Sequence, residues 1–467
     1  MKQAFAFLAL AAIAQAAQVT FHVIAPGSTT VQVSVNGQLT ALTAADPTIP
    51  VFSGAAETGA DTKYKYVAGG VTETFDRALP TGRTETYNDF LNRPVTYADI
   101  PELPSPIEKN PTWTRSGPKQ PLFDTNYIPT IFVNGNPSDL NGLIVNPAKD
   151  KFSVTLTFVL ASEVKTFTNI RFGIHGAGKK KNNAKQSWIW ELAPNDTYQN
   201  RNFFKLRHQE EDPTQMREKL YADISRAMGT YANEANMIRF FINNEAMGTF
   251  NIPDDITQYS YPPAKFYAGK PPAQMNALFD GASGASFHKT DKANDAAIAE
   301  VGKLFDIDTY MRFMVLEYLT GNWDGCWEQQ TNVGLYRQDF DATFGVNIHH
   351  NDTTFIEWSY KKYPTLFPGG VMINGLLQNP TYTQMFETYL KNTVQILFNN
   401  ATLINRILKY HAFILPDFAE NLWGWVPAPN ANGGGAGFGL IQWIVRKSEA
   451  VAKEFAITTT PTPDGDK

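Results

Sequence analysis

The chain has 467 residues, more than one ordinary hydrophobic core supports, which predicts two or three domains. Apolar residues make up 43% and charged residues 18%, a balance that excludes a disordered chain. The formal net charge of −5 gives no electrostatic basis for binding nucleic acid, so we expect no nucleic-acid partner.

The first sixteen residues have the pattern of a secretory signal peptide. Lys2 precedes an apolar run from Ala4 to Ile13, which is too short to span a bilayer. Small residues at positions 14 and 16 suit cleavage after Ala16, so we expect a secreted protein. No later segment is apolar enough to cross a membrane, and the Thr/Pro tail at residues 458–467 lacks the hydrophobic end of a GPI signal.

Cysteine usage and sequons add two expectations. Cys326 is the only cysteine, so no disulfide forms within the chain, and we interpret it as a small buried apolar residue. Asn195, Asn351 and Asn400 each begin an N-glycosylation sequon, which predicts surface positions in a glycosylated secreted protein.

Residues 17–95 predict a small β-sandwich module. Short alternating segments such as VTFHVIAPG, VQVSVNGQL and TKYKYVAGG are separated by Gly, Pro and Asn-Gly turns. The end of this module is similar to starch-binding modules, which would make a glycan its ligand, but immunoglobulin-like sandwiches share the pattern. Residues 96–124 are rich in proline, which predicts an extended linker or a strap over the next domain.

Residues 125–457 predict an α+β domain. Strand patterns such as KFSVTLTFVLAS and SWIWEL dominate up to about residue 251, and segments with helical periodicity follow beyond Ala293. One helix is expected among the strands, with Asp212 as its N-cap, Pro213 as its first residue and Gly229 as its stop. Met216, Leu220 and Ile224 should face a core, and residues 430–439 should form a glycine-rich loop before the last helix.

A basic segment at residues 173–188 is the first candidate phosphate site. Gly173 to Lys179 matches the start of a P-loop, but Lys180 replaces the Ser or Thr that would hold magnesium. A glycine-bearing turn with Lys179 and Lys185 beside it would still suit anionic phosphates. The alternative is a solvated basic hairpin, and the pattern leaves both open.

Glu218 follows Arg217 on the predicted helix, away from the apolar face. A glutamate here would pair with a strand lysine such as Lys185, as in protein kinases. The alternative is an exposed helix face with ordinary ion pairs.

The segment TGNWDGCWEQQTNVGLYRQDFDATFG contains three acidic positions among amides and aromatic residues. Phosphoryl transfer requires a carboxylate to orient the attacking hydroxyl, and amides or carboxylates to hold magnesium. Asp324, Asn332, Asp339 and Asp341 supply these groups in that order. A structural hydrogen-bond network, or a chance order of common residues, remains the alternative.

Two other site types are weakly indicated. His349, His350 and Asp352 contain zinc-ligand types, but adjacent histidines rarely face one metal ion and no third position is evident. No Gly-x-Ser-x-Gly elbow of a serine hydrolase occurs in the sequence.

Five segments together resemble the CotH family, in particular the spore-coat-protein-H-like surface proteins of mucoralean fungi. They are GNWDGCWEQQTNVGLY, DFDATFG, FGIHGAGKKKNNAKQSW, KLRHQEEDPTQMREKLYADISRAMGTYAN and INGLLQN. The resemblance covers nearly the whole chain after the signal peptide. It implies an atypical protein kinase with a β-rich lobe at about 125–255 and a helical lobe at about 256–457.

The resemblance also assigns residues and ligands. Asp324 would be the catalytic aspartate, and Asp339 and Asp341 the metal ligands with Asn332 as a further one. Lys185 would meet the phosphates of ATP, and Glu218 would be its helix partner. The cofactors implied are ATP and Mg²⁺ or Mn²⁺, and the substrate is a Ser or Thr of an extracellular or spore-coat protein.

Two functions follow from this resemblance. One is a secreted kinase of the cell surface or spore coat, and the other is a non-catalytic adhesin that binds a host-cell receptor. The intact acidic residues favour the kinase. The direct run from Tyr336 into Asp339, where relatives have a longer hairpin, favours the adhesin.

Overall fold

The computed structural model describes most of the chain, with gaps. Nothing is stated below about the structure of the residues between the described ranges, which include the predicted signal peptide. The described residues are 17–59, 62–108, 119–145, 150–175, 185–209, 212–230, 233–256, 258–270, 280–281, 295–302, 305–322, 325–330, 333–334, 355–420 and 438–458.

The chain divides into two compact units. The first comprises Met1–Tyr97 together with Val159–Val164, and the second comprises Ala98–Phe158 together with Lys165–Lys467. Strands and helices in the described residues make the protein mixed α+β, as the sequence predicts. None of the helices in these ranges is long and apolar enough to cross a membrane.

The first unit is a β-sheet that folds over on itself. Its strands occur in the order β6-β5-β2-β3-β4-β1-β8, with β7 pairing to β5. Strands β1 and β5 are far apart in this order, yet the rings of Phe21 and Tyr64 on them lie 4.9 Å apart, so the two halves of the sheet enclose one core. The strands are β1 (Ala17–Ile24), β2 (Val31–Val35), β3 (Gln38–Ala44), β4 (Val51–Thr58), β5 (Lys63–Ala68), β6 (Val71–Thr72), β7 (Arg77–Ala78) and β8 (Glu85–Phe90).

Side-chain alternation explains that core. Val19, Phe21 and Val23 on β1 are buried, while the residues between them are partly exposed. Successive side chains of a strand point to opposite faces, so this alternation buries one face of the sheet.

Two of the three predicted glycosylation sequons begin at described residues. Asn195, in the second unit, is exposed, whereas Asn400 is partly buried.

The second unit contains a seven-stranded sheet in the order β13-β12-β11-β10-β9-β14-β15. Strands β9 and β14 are parallel, and β14 and β15 form an antiparallel hairpin. A short pair, β16 (Asp280–Gly281) with β17 (Val333–Gly334), lies outside that sheet. The seven strands are β9 (Thr130–Asn134), β10 (Lys151–Val159), β11 (Val164–His175), β12 (Ser187–Glu191), β13 (Phe203–Leu206), β14 (Ala235–Ile242) and β15 (Glu245–Pro253).

Helices form most of the rest of the second unit. Residues of α2, α5, α8, α9 and α10 share one hydrophobic core, and α5 is buried along nearly its whole length, as expected of a helix that is apolar on all sides. The helices are α1 (Pro137–Val145), α2 (Arg217–Met228), α3 (Tyr261–Phe266), α4 (Asp295–Gly302), α5 (Ile307–Thr320), α6 (Tyr363–Leu366), α7 (Val371–Leu376), α8 (Pro380–Ile396), α9 (Asn405–Ile414) and α10 (Leu440–Phe455).

The helix predicted to begin at Asp212 begins later. Helix α2 starts at Arg217, because the Asp212 carboxylate accepts the N–H groups of Thr214 (2.9 Å) and Arg217 (2.8 Å) and thereby stabilises a turn before the helix. The end of the helix is as predicted: Gly229 adopts a left-handed φ of 78°.

The predicted apolar face of α2 is confirmed, since Met216, Leu220 and Ile224 all belong to the helical core. Helix α1 was not expected among the strands. It follows Asn136, whose side chain accepts the N–H of Ser138 at 2.9 Å and caps the helix, and it buries Leu140 and Leu143.

Residues 98–108 lie along the helical core of the second unit. Ile100 and Ile107 are buried in that core, and the N–H of Ile100 bonds to the Asn126 side chain at 2.9 Å. Arg406 donates to the carbonyl of Pro101. The proline-rich segment therefore has an anchored portion, although residues 109–118 lie outside the described ranges.

Candidate active site

Lys185 is buried two residues before β12. Only 2% of its surface is exposed, and its ammonium donates to the main-chain oxygen of Thr249 and lies 4.3 Å from the centroid of the Phe250 ring. Burial lowers the pKa of Lys185 from 10.5 to about 7. The alternative of a solvated basic hairpin therefore does not describe Lys185.

Glu218 lies in the first turn of α2 and is held by three polar side chains. Its carboxylate accepts the Asn251 side-chain amide at 2.6 Å and that of Gln209 at 3.1 Å, and Arg207 approaches to 3.6 Å. The main chains of Arg207 and Asn251 also bond to each other, at 2.8 and 3.1 Å. Arg207 and Asn251 thus form one cradle for the carboxylate.

This side of α2 is not the exposed helix face considered as an alternative. Arg217 is buried and pairs with Asp212 at 2.5 Å, and the Glu218 side chain is only 12% exposed. The ion pairs of that alternative are present, but they are largely shielded from solvent.

The predicted pairing of Lys185 with Glu218 is wrong in this conformation, because each side chain bonds to a different residue of strand β15. Lys185 bonds to Thr249 and Glu218 bonds to Asn251, two residues on the same strand that are each 1% exposed. Within the described ranges Lys185 has no carboxylate partner at ion-pair distance, so its burial is compensated only by a carbonyl and an aromatic ring. The side-chain oxygen of Asn251 and the hydroxyl of Thr249 are buried and have no hydrogen-bond partner among the residues that the structure describes.

The residues that immediately follow α5 are described as far as Asn322, and again from Gly325 onwards. Gly321 ends α5 in a left-handed conformation, and the N–H of Gly325 bonds to the carbonyl of Asn322 at 3.0 Å. Asp324, the predicted catalytic residue, lies outside the described residues.

Glu317, which the sequence did not indicate as a site residue, bonds to the main chain that follows Gly325. The Glu317 carboxylate on α5 accepts the N–H of Cys326 at 2.8 Å with one oxygen and the N–H of Trp327 at 2.7 Å with the other. Glu317 is 2% exposed, and burial raises its pKa to about 8. The signal available in the sequence was a single glutamate within the apolar run MVLEYL.

Cys326 is buried, as predicted, with 4% of its surface exposed. Burial raises the pKa of its thiol, so the thiol is poorly suited to act as a nucleophile in this conformation.

The other predicted site residues lie outside the described ranges. These are Lys179, Asn332, Asp339 and Asp341, and the same holds for the weaker candidates His349, His350 and Asp352. Among the residues that the structure does describe, no group of three or more His, Cys, Asp or Glu side chains is placed to hold a metal ion. The predicted metal ligands thus stay a prediction.

The described architecture is that of a two-unit α+β protein in which a buried lysine and a helix glutamate bond to two residues of one strand. The sequence model of a family described as "CotH kinase protein" matches residues 172–266 and 284–432. Every predicted site residue falls within these two segments.

Three relatives illustrate the similarity. The chain is 50% identical to Invasin CotH3 of Rhizopus delemar, over 98% of this chain and 88% of the relative. It is 49% identical to Invasin CotH2 of the same organism, over 98% of this chain and 87% of the relative. It is 23% identical to the inner spore coat protein H of Bacillus subtilis, over 50% of this chain and 73% of that protein. The chain belongs to the CotH family.

Proposed function

We propose that this CotH-family protein is a secreted kinase that transfers the γ-phosphate of ATP to Ser or Thr residues of cell-surface or spore-coat proteins. The observation that carries the proposal is the buried Lys185, which bonds to Thr249 of β15, two residues from the Asn251 that bonds to Glu218. Burial disfavours the charged form of Lys185, which has no carboxylate partner in the described ranges. The phosphate groups of ATP would compensate this charge. The matching family description, "CotH kinase protein", supports the same conclusion.

The residues fit ATP on chemical grounds. Lys185 would hold the phosphates, with Lys179 as a further contact from the basic segment, while Glu218 stays bonded to Asn251 beside it on β15. Bound Mg²⁺ or Mn²⁺ would neutralise phosphate charge, and Asn332, Asp339 and Asp341 offer the oxygen ligands that these ions prefer. Asp324 would orient the substrate hydroxyl and accept its proton.

The test has a binding part and a catalytic part. Thermal shift with ATP and Mg²⁺ or Mn²⁺ should show stabilisation of the wild type and little stabilisation of Lys185→Met. Lys447→Met is the matched control, because Lys447 is also fully buried, with a pKa lowered to about 7 by burial, but sits on α10 over the Tyr318 ring. Lys447→Met should keep the wild-type shift.

The catalytic part uses radiolabelled ATP with a divalent metal. We expect the wild type to incorporate phosphate and Asp324→Asn to lose at least about a hundredfold in rate. Lack of nucleotide binding and of phosphate incorporation by the folded wild type would refute the kinase proposal.

A second candidate function is adhesion at the cell surface through a host-cell receptor. Its support is the name of two relatives, Invasin CotH3 and Invasin CotH2, at 50% and 49% identity. If adhesion is independent of catalysis, Asp324→Asn should bind host cells as strongly as the wild type does. Loss of binding in that folded variant would show that the two activities are linked. A glycan ligand of the N-terminal module belongs to this second candidate and is tested on a glycan array.

A further inference from the structure

Three cationic side chains surround one carboxylate in the described part of the second unit. The Asp223 carboxylate of α2 accepts the Lys219 ammonium at 2.5 Å and also accepts the guanidinium of Arg406, which lies on α9. The Lys119 ammonium lies 4.0 Å from the same carboxylate. Lys119, Lys219, Arg406 and Asp223 are called the cation cluster below.

Positive charge is in excess in the cation cluster. The charges that act on Lys219 are those of Asp223, Lys119 and Arg406. Burial, with the charges of Lys119 and Arg406 adding to it, lowers the pKa of Lys219 to about 7. Even with Lys219 neutral, two cations remain against the single carboxylate of Asp223.

Neighbouring carboxylates do not remove this excess. Lys119 also acts on Glu234, but Glu234 is already paired with Lys265 at 2.7 Å and with Arg226. Residues 109–118, which precede Lys119 in the sequence, contain no Asp or Glu. The excess charge therefore has no protein counter-charge in the described ranges.

The cluster is shielded from water, which makes its charge unfavourable. The side chains of Lys219 and Arg406 are 3% and 4% exposed, and that of Lys119 is 18% exposed. The Thr125 hydroxyl oxygen accepts both ammonium groups, at 2.7 and 3.0 Å, and the Pro101 carbonyl accepts Arg406. These acceptors satisfy hydrogen bonds, but they are neutral and leave the buried charge uncompensated.

A buried hydroxyl beside the cluster is available as a further donor. Tyr410 follows Arg406 by one turn of α9, so both side chains lie on one face of that helix. Tyr410 is 5% exposed, and its hydroxyl has no hydrogen-bond partner in the described ranges. The nearby N–H of Met237 bonds to the Asn236 side chain at 3.0 Å. Burial, and then the charge of Asp223, raises the pKa of Tyr410, so the hydroxyl keeps its proton.

We propose that the cation cluster and the Tyr410 hydroxyl bind one small monovalent inorganic anion of the halide class. With Lys219 neutral the excess is one charge, which matches a monovalent anion. The polar atoms of the cluster lie 2.5–4.0 Å from one another, and this close spacing suits a monatomic ion better than a tetrahedral oxyanion. The proposal does not depend on the kinase function.

A bound anion would join three segments that are distant in sequence. Lys219 belongs to α2, Arg406 and Tyr410 belong to α9, and Lys119 belongs to the proline-rich segment. Helix α2 also carries Glu218, so the anion would stabilise the position of the helix beside β15. An anion that binds only the folded chain raises its melting temperature.

The experiment is thermal unfolding of the full chain at constant ionic strength, with chloride replacing gluconate, a large organic anion. Constant ionic strength keeps the screening of surface charges equal. The Tm of the wild type should rise by about 1–3 °C once chloride exceeds its Kd about tenfold, and bromide should act in the same way.

Two variants test the cluster separately. Tyr410→Phe removes only the hydroxyl and should weaken the binding of chloride about tenfold, the effect of losing a hydrogen bond to a charged group. Lys119→Gln removes the most exposed cation of the cluster, so the chain should still fold, and it should also weaken chloride binding at least about tenfold. Tyr360→Phe and Lys361→Gln are the matched controls, because these residues pair with Glu387 outside the cluster, and both should keep the wild-type response to chloride.

The outcomes decide the proposal in either direction. A wild-type Tm that does not depend on chloride, or an equal response in the wild type, Tyr410→Phe and Lys119→Gln, would overturn the site. A larger rise with sulfate or phosphate than with chloride would overturn the halide class. In crystals soaked in bromide, an anomalous peak beside Lys119 and Tyr410 would support the site, and bromide found only elsewhere would refute it. None of these results depends on nucleotide binding or phosphate incorporation, so the kinase proposal stands or fails separately.

Discussion

Replacing Lys185 by methionine should stabilise the protein in the absence of nucleotide. Methionine has a similar length and no charge, so the variant removes the burial of an ammonium group that lies 2% exposed among Thr249 and Phe250. A lysine retained at such a place despite its effect on stability is expected when the residue binds a ligand.

The magnitude follows from the pKa of Lys185. The difference between its ordinary value of 10.5 and the folded value of about 7 corresponds to about 5 kcal/mol, since each step in pKa is worth about 1.4 kcal/mol. Methionine leaves the Thr249 carbonyl without its donor, which costs about 1–3 kcal/mol. The expected net gain at pH 7 is therefore about 2–4 kcal/mol.

The gain should depend on pH in a defined direction. Between pH 7 and 10.5 the unfolded chain holds a proton on Lys185 that the folded chain has released, so the stability of the wild type rises with pH through this window. Lys185→Met lacks this contribution. The stability difference between variant and wild type should therefore be largest at pH 7 and below, and should shrink as the pH approaches 10.

The assay is urea unfolding followed by tryptophan fluorescence. All nine tryptophans follow residue 97, so their signal reports on the second unit alone. Lys361→Met is the control, because the Lys361 side chain is 61% exposed and its replacement should change stability by less than about 0.5 kcal/mol. A variant less stable than the wild type at pH 7, or a difference that is the same at pH 7 and pH 10, would refute this reasoning.

Two further predictions concern the frame around the site. Asp417→Asn leaves the buried Arg239 without its bidentate partner, at 2.6 and 3.0 Å, and should lower stability by about 3–5 kcal/mol, whereas Glu357→Gln at an exposed ion pair should cost under about 1 kcal/mol. Urea midpoints that match for these two variants would contradict the assignment of the buried pair. Gly229→Ala forces alanine into a φ of 78° against a buried arginine of α5 and should cost about 1–3 kcal/mol. Gly142→Ala, in an exposed helix position with open space around it, should instead be neutral or stabilise by up to about 1 kcal/mol, and differential scanning calorimetry distinguishes the two signs.

Much of the fold follows from local patterns in the sequence. The alternation of Val19, Phe21 and Val23 predicts a half-buried strand, and the spacing of Leu220 and Ile224 predicts the buried face of α2, because both patterns reflect the geometry of one element. The glycine at position 229 predicts the end of α2 for the same reason. The motifs around the acidic residues also predicted membership of the CotH family.

Local patterns predict the start of a helix wrongly where a polar side chain can bond to more than one partner. Asp212 has the position and chemistry of a helix cap, but it bonds to a turn and to Arg217, and α2 begins later. The sequence does not predict helix α1, because the helix is short, has few apolar residues and lies among segments with strand patterns. In each case the chosen conformation depends on contacts made after the chain has folded.

The sequence by itself therefore determined the fold class, several of the strands and helices, the family of the chain and the residue types available for chemistry. Only the tertiary structure decided that Lys185 is buried against Thr249, that Glu218 is cradled by Arg207 and Asn251, and that Glu317 bonds to the main chain after α5. The physical reason is that burial, the resulting pKa and the identity of a hydrogen-bond partner depend on residues distant in sequence. No local pattern of the chain encodes those contacts.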